Sequence, residues 1–243
     1  MSTVSPATTR VFVARQPILD RTGRVFAYEL RHREPTFMVT REVVPDDRAT
    51  ARVLTDALLA IGFDALTGGR PAFINVSRQF LVDGIPPGLA PASVVLGIGA
   101  DVEADTEIVA ACRNLHQAGY RFAIDPFLLV TGQTDLVSLA SHVRVDFTDA
   151  ATTGDRLRAL GGAVPSGLTL IATRLETAEM FQHAVTEGYQ YFQGNFFGRP
   201  AMKEGRAVPA HQIAQLRLLR ALNNPNLGAH QLAELIKPDP AMC

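Results

Sequence analysis

Short apolar runs separated by turns and helix-length stretches recur along the chain from Val11 onward, and this alternation limits what the chain can fold into. VFVARQPIL (11–19) and VFAYEL (25–30) flank the turn TGR and read as an opening hairpin. PAFINV (71–76), SVVLGI (93–98), RFAID (121–125), HVRVDF (142–147), LTLIAT (168–173) and YQYFQG (189–194) read as further strands. Between them lie helical patterns. ATARVLTDALLAIG (49–62) spaces Val53, Leu54, Ala57, Leu58 and Ile61 on one face, and Asp105 opens a helix carrying Ile108, Val109, Cys112 and Leu115 that Gly119 closes. Another helix is expected over 178–187. Strands apolar on both faces and alternating with helices argue for a parallel sheet covered by helices. With seven or eight such units, closure into an α/β fold of the (β/α)8 barrel type is favoured over an open doubly wound sheet, with an antiparallel first strand.

Composition excludes several alternatives. Apolar residues make up 47% of the 243 and charged ones 19%, which fits a packed globular chain and not a disordered one. The net charge of −1 carries no footprint for nucleic acid or for an anionic membrane, so neither is expected as a partner. Cys112 and Cys243 are the two cysteines, without a CxxC pair or a His cluster at ligand spacing, so a disulfide framework and a structural zinc are not indicated and a reducing cytoplasm is the expected location. Cys112 reads as core, and His116 and His142 read as solvated or capping residues.

In a parallel barrel the active site lies at the C-terminal ends of the strands, which directs attention to the polar residue at the end of each apolar run. Those residues are Glu29, Asn75, Asp125, Asp146 and Gln193. A single Asp at a strand end is more often a helix cap than a ligand. Five oxygen-bearing side chains at matching depth form a constellation, and such oxygens suit a hard divalent ion of the kind that assists phosphoester hydrolysis.

RQPILDRTGRVFAYELRHR, PAFINVS, RFAIDPF, VRVDF, LET and YFQGNFFGRP, in this order, resemble the EAL-type cyclic di-GMP phosphodiesterase family. The ARQPI opening and TGGRPAFIN are most similar to the subgroup in which this barrel precedes an HDOD domain, and LAELIKPDPA resembles the first helix of that domain. The likeness runs over about residues 11–240. It implies a flexible tail at 1–10, an EAL-type barrel over 11–207, and C-terminal helices over 208–243 that begin a truncated HDOD-like domain.

Position by position, the resemblance implies metal binding by Glu29, Asn75 and Asp125, with Asp146 and Gln193 as further matches, and it also implies losses. A glutamate pair of the family is replaced by Gly97 and Ala100, the second aspartate of Asp-Asp by Pro126, a later glutamate by Thr173, and the catalytic lysine by Arg144, while Glu176 persists. Two-metal catalysis is therefore expected to be broken, since magnesium needs carboxylates to hold it and a guanidinium stays protonated and cannot exchange a proton with water. The implied function is a degenerate signalling module that binds a protein partner, as yet unknown, and could hold cyclic di-GMP through Arg33, Phe127, Arg144, Gln193, Arg199 and Pro200. No cofactor is expected in that case. The competing expectation is an active enzyme using magnesium or manganese, which would recover if Asp101 or Glu103 supplied a carboxylate beside Asp125 and Glu29. A homodimer is compatible with either.

Overall fold

The computed structural model describes residues 10–32, 61–84, 89–148, 167–198 and 201–206. The expected helix over 49–62 up to residue 60, the expected C-terminal helices over 208–243, and the tail at 1–9 lie outside the described residues. Two compact units divide the chain, Val11–Gly205 and a second formed by Met1–Arg10 with Arg206–Cys243. The first unit carries the barrel.

Its strands are β1 (Arg10–Asp20), β2 (Val25–His32), β3 (Ala72–Val76), β4 (Val94–Ile98), β5 (Arg121–Ile124), β6 (Ala140–Asp146), β7 (Thr169–Thr173) and β8 (Tyr191–Phe192), with β9 (Ala201–Arg206) beside β1. Consecutive strands from β2 to β8 pair in parallel. The first strand closes the ring, antiparallel to β2 on one side and to β8 on the other. An eight-stranded barrel with an antiparallel first strand is thus observed as expected. Helices α1 (Phe63–Thr67), α2 (Arg78–Asp83), α3 (Thr106–Gln117), α4 (Pro126–Val130), α5 (Thr134–Leu139) and α6 (Ala178–Thr186) lie between the strands. The cap expected for α3 is present: Asp105 accepts from the Ile108 amide at 2.9 Å. Beyond its last turn Gly119 takes φ 92°, which lets Tyr120 N donate to Leu115 O across the helix end.

The two-residue period of the strands sorts side chains into two cores. Ala72, Ile74, Val94, Leu96, Ile98, Phe122, Ile124, Val143 and Val145 point outward and pack with helix residues such as Leu81, Ile108, Cys112 and Leu136. Ile18, Ala27, Phe73, Val95, Ala123 and Ile171 fill the barrel interior. Cys112 is buried in the outer core, as its place on the helix face predicts.

At the N-terminal end of β6 the interior holds a histidine that the sequence reading left as solvated or capping. His142 is 5% exposed and lies edge-on to Phe73 at 5.3 Å, with Phe26 6.3 Å away and Tyr191 stacked on Phe26 at 3.8 Å. The Ser141 hydroxyl donates to Phe122 O at 2.9 Å and lies 2.8 Å from His142 Nδ1. Its one proton is committed to the carbonyl, so Nδ1 carries the hydrogen of a neutral imidazole. Burial, aided by the Arg121 charge, pulls this group down to about 4. The histidine escapes sequence reasoning because its ring partners come from β2 and β3, far away in the chain.

Candidate functional site

At the opposite end, the interior positions one pleat beyond the apolar filling are polar. On β2, Glu29 follows Ala27 and is fully buried. Its Oε1 accepts from Arg144 Nη2 at 2.6 Å, and its Oε2 accepts from Gln193 Nε2 at 2.6 Å and lies 2.9 Å from Arg31 Nη2. From β3, Asn75 turns its Oδ1 to Arg144 Nη1 at 2.6 Å and its Nδ2 toward Glu29 Oε1 at 3.5 Å. Arg144 reaches this point because it lies two residues beyond His142 on β6, on the same face of the strand. The Gln193 amide also donates to Gln16 Oε1 at 3.2 Å, and Gln16 stands directly opposite Glu29 in the β1–β2 ladder.

Local backbone features hold these side chains in place. Gln193 N donates to Ala172 O at 2.8 Å and Leu175 N to Gln193 O at 3.0 Å, which fixes Gln193 just past β8. The next residue must be glycine, because a Cβ at Gly194 would run into the Leu175 backbone. Arg174, beside that contact, adopts φ 57°, a left-handed conformation uncommon for a residue with a side chain, and its Nε lies 3.3 Å from Asp146 Oδ2.

The electrostatics follow from burial and partners. Burial alone would raise the Glu29 carboxyl, but the guanidinium groups of Arg144 and Arg31 and the Gln193 amide outweigh it and hold the group down at about 2. One carboxylate bonded to two guanidinium groups leaves this cluster with a net charge of about +1. Such a surrounding repels a further cation and favours an anion.

The remaining expected positions separate into distinct roles. Asp125 caps α4, accepting from Phe127 N at 2.8 Å, with Pro126 in the first helical turn. Asp146 accepts from the Thr148 amide at 2.8 Å and from its hydroxyl at 2.7 Å. Thr173 donates its hydroxyl to Val145 O at 3.0 Å. At Gly97 an added Cβ would lie 2.5 Å from Asn75 Oδ1 and 3.5 Å from Arg144 Nη1. Asp101 and Glu103 are exposed, with the Asp101 carboxylate turned against Gly99. Among the described residues no group of three or more His, Cys, Asp or Glu side chains is placed to hold a metal ion. Phe127 is exposed, at 42%. Arg33, Arg199 and Pro200 lie outside the described residues.

Sequence reasoning brought forward Glu29, Asn75, Gln193 and Arg144, and these four are hydrogen-bonded together. It missed Gln16, whose signal was an amide one pleat from Ile18 on an inward-facing strand. It did not foresee Arg31, which two residues along β2 return to Glu29.

Comparison with known proteins places this geometry. No family model matches the chain. It is 31% identical over 235 residues to the uncharacterized protein YuxH of Bacillus subtilis and 27% identical over 235 residues to the cyclic di-GMP phosphodiesterase CdgJ of Vibrio cholerae, in each case over 95% of this chain. It spans 57% and 54% of the lengths of those two relatives. Among solved structures it is similar to Klebsiella pneumoniae BlrP1 in a manganese and cyclic di-GMP complex, with TM-score 0.60 and 23% identity over 85% of this chain and 59% of that one. It is also similar to the Bacillus subtilis YkuI protein, with an EAL domain, in complex with cyclic di-GMP and calcium, with TM-score 0.56 and 16% identity over 92% of this chain and 71% of that one. No helix among the described residues is long and apolar enough to cross a membrane. The closed barrel with its antiparallel first strand, and these neighbours, identify the fold as the (β/α)8 barrel of EAL type.

Proposed function

We propose that this chain is a catalytically degenerate EAL-type signalling barrel, one that contacts a protein partner and can hold cyclic di-GMP without hydrolysing it. The observation that carries this reading is the state of Glu29. The carboxylate that the resemblance assigns to a metal is fully buried and already bonded to Arg144, Arg31 and Gln193. Hydrolysis of a phosphodiester with metal help requires an activated water and carboxylates that fix the ion. Arg144, in the place of a lysine, cannot take the proton of that water because a guanidinium does not deprotonate in a protein. It can present N–H groups to a phosphate oxygen, and its side chain keeps 16% exposure for that purpose.

The ligand-facing residues in this reading are Arg144 and Gln193, with Phe127 as an exposed ring able to meet a base, and Arg33, Arg199 and Pro200 by resemblance. The likeness of LAELIKPDPA to an HDOD helix supports a further step, in which the barrel passes its state to a following domain in the cytoplasm. Magnesium or manganese would enter only if the chain were active.

Calorimetric titration of cyclic di-GMP, once in EDTA and once with magnesium or manganese, followed by chromatography of the nucleotide, tests the proposal. Heat in EDTA with the nucleotide recovered intact is the expected result. Conversion to the linear dinucleotide would overturn it in favour of an active phosphodiesterase, and the absence of both heat and turnover would remove the nucleotide and leave the protein partner alone.

A further inference from the structure

Three features meet between β3, β4 and β6. The Arg144 guanidinium lies 2.6 Å from Glu29 Oε1 and 2.6 Å from Asn75 Oδ1, so one cation bridges the two oxygen donors that the resemblance assigns to a divalent ion. The neighbouring strand position, in register with Asn75, is Gly97. A Cβ there would stand 2.5 Å from the very Asn75 oxygen that faces Arg144, closer than real Cβ contacts come, so no carboxylate can project from residue 97 while this bridge exists. The cluster already carries more positive than negative charge, and the residues present do not fit a divalent ion.

We infer that Arg144 is the resident cation of this barrel mouth and that Gly97 is its steric counterpart: a carboxylate with a bound metal has been exchanged for a hydrogen atom with a guanidinium. The inference rests on the EAL-type reading for the identity of Glu29 and Asn75 as metal donors, and it deepens that reading by fixing how the site is charged. The positive charge is covalent, permanent and independent of divalent ion concentration. An anionic ligand drawn to this mouth meets the same field in EDTA as in manganese.

The test uses Mn2+ alone, without nucleotide, so it is separate from whether cyclic di-GMP binds. In the unaltered chain, the electron paramagnetic resonance signal of free Mn2+ is expected to stay undiminished by the mouth, and the melting temperature is expected to be the same in MnCl2 and in EDTA. Uptake of one Mn2+ that disappears in Glu29→Gln would overturn the inference. Uptake that persists in Glu29→Gln lies elsewhere and agrees with it. The reverse exchange, Gly97→Glu with Arg144→Lys, returns a carboxylate and withdraws the bridging guanidinium. It is expected to bind Mn2+ and to melt at least about 5 °C higher in a large excess of MnCl2 than in EDTA. A folded reverse variant that ignores Mn2+ would refute the pairing of Gly97 with Arg144, and if that variant does not fold, the titration of the unaltered chain decides.

Discussion

At the mouth of the barrel Glu29 is fully buried and ionised, while at the floor His142 is 5% exposed and neutral. The strands are the same and the interior face is the same, yet the surroundings differ. Around Glu29 stand two guanidinium groups and two amides; around His142 stand Phe26 and Phe73, with the Ser141 hydroxyl. Burial pushes each group toward its uncharged form, and only at the mouth are there enough opposite charges to reverse that push. The floor is therefore a stopper, whose job ends with packing. The mouth retains a charge at a cost in desolvation, which is the pattern expected of a site that meets a ligand.

Replacing Arg144 by Met gives the largest expected effect on this comparison. It leaves a buried carboxylate without its main partner and should cost about 3–5 kcal/mol in urea unfolding. Adding Glu29→Gln to that variant removes the stranded charge and should recover most of the loss. A cost below about 1 kcal/mol for the single change would mean that Arg144 is not what keeps Glu29 charged, and the contrast between the two ends would collapse.

The next effect separates the two ends by pH. The Glu29 carboxyl is lowered from 4.5 to about 2, so its contribution is present above 4.5 and is lost as pH falls toward 2. His142 is lowered from 6.5 to about 4, so the unfolded chain takes up its proton first, and stability is lost as pH falls from 6.5 through 4. Each contribution is on the order of 3 kcal/mol when complete. Stability measured from pH 7 to pH 2 should thus show two acid limbs. His142→Leu should flatten the upper limb and leave the lower, and Glu29→Gln should do the opposite. A single limb that both substitutions flatten would show that the two ends titrate as one unit.

Gly97→Ala comes third, with an expected cost of about 1–3 kcal/mol from the Cβ forced against Asn75. In the Arg144→Met background the bond that holds Asn75 Oδ1 against Arg144 Nη1 is gone, so the same substitution should cost clearly less. Equal costs in both backgrounds would show that Gly97 and Arg144 act independently.

Much of this architecture was legible in the sequence, for a reason that also marks where legibility ended. Strands 72–76, 94–98, 121–124, 140–146 and 169–173 were announced by continuous apolar runs, and Asp105 and Gly119 framed α3. The last barrel strand shrank to Tyr191–Phe192, because Gln193 and Gly194 leave the ladder to meet Leu175. The polar segment Ala201–Arg206 has no apolar run and gave no sign of β9. Among the five polar strand ends, Glu29, Asn75 and Gln193 converge, while Asp125 spends an oxygen on the cap of α4 and Asp146 on the Thr148 turn. Spacing along the chain is the same for a residue that converges and one that caps. The difference lies in which neighbour offers an N–H, and that is settled by the following loop.

Arg31 gives the smallest expected effect and bears on how the mouth is organised. Its guanidinium lies 2.9 Å from Glu29 Oε2, a distance close to that of Arg144, but 47% of its side chain is exposed against 16% for Arg144. Water and salt screen a partner at the surface far more than one inside, so the same separation carries much less energy. Arg31→Met should therefore cost no more than about 1 kcal/mol, and the cost should shrink further at high salt. The loss caused by Arg144→Met should stay nearly unchanged over the same range of salt, because Arg144 itself is only 16% exposed and so shares the burial of the carboxylate. If Arg31→Met instead matched Arg144→Met in size and salt response, Glu29 would be held by a symmetric pair. The view of Arg144 as the single resident cation, with Arg31 as an outer screen, would then give way to a shared one.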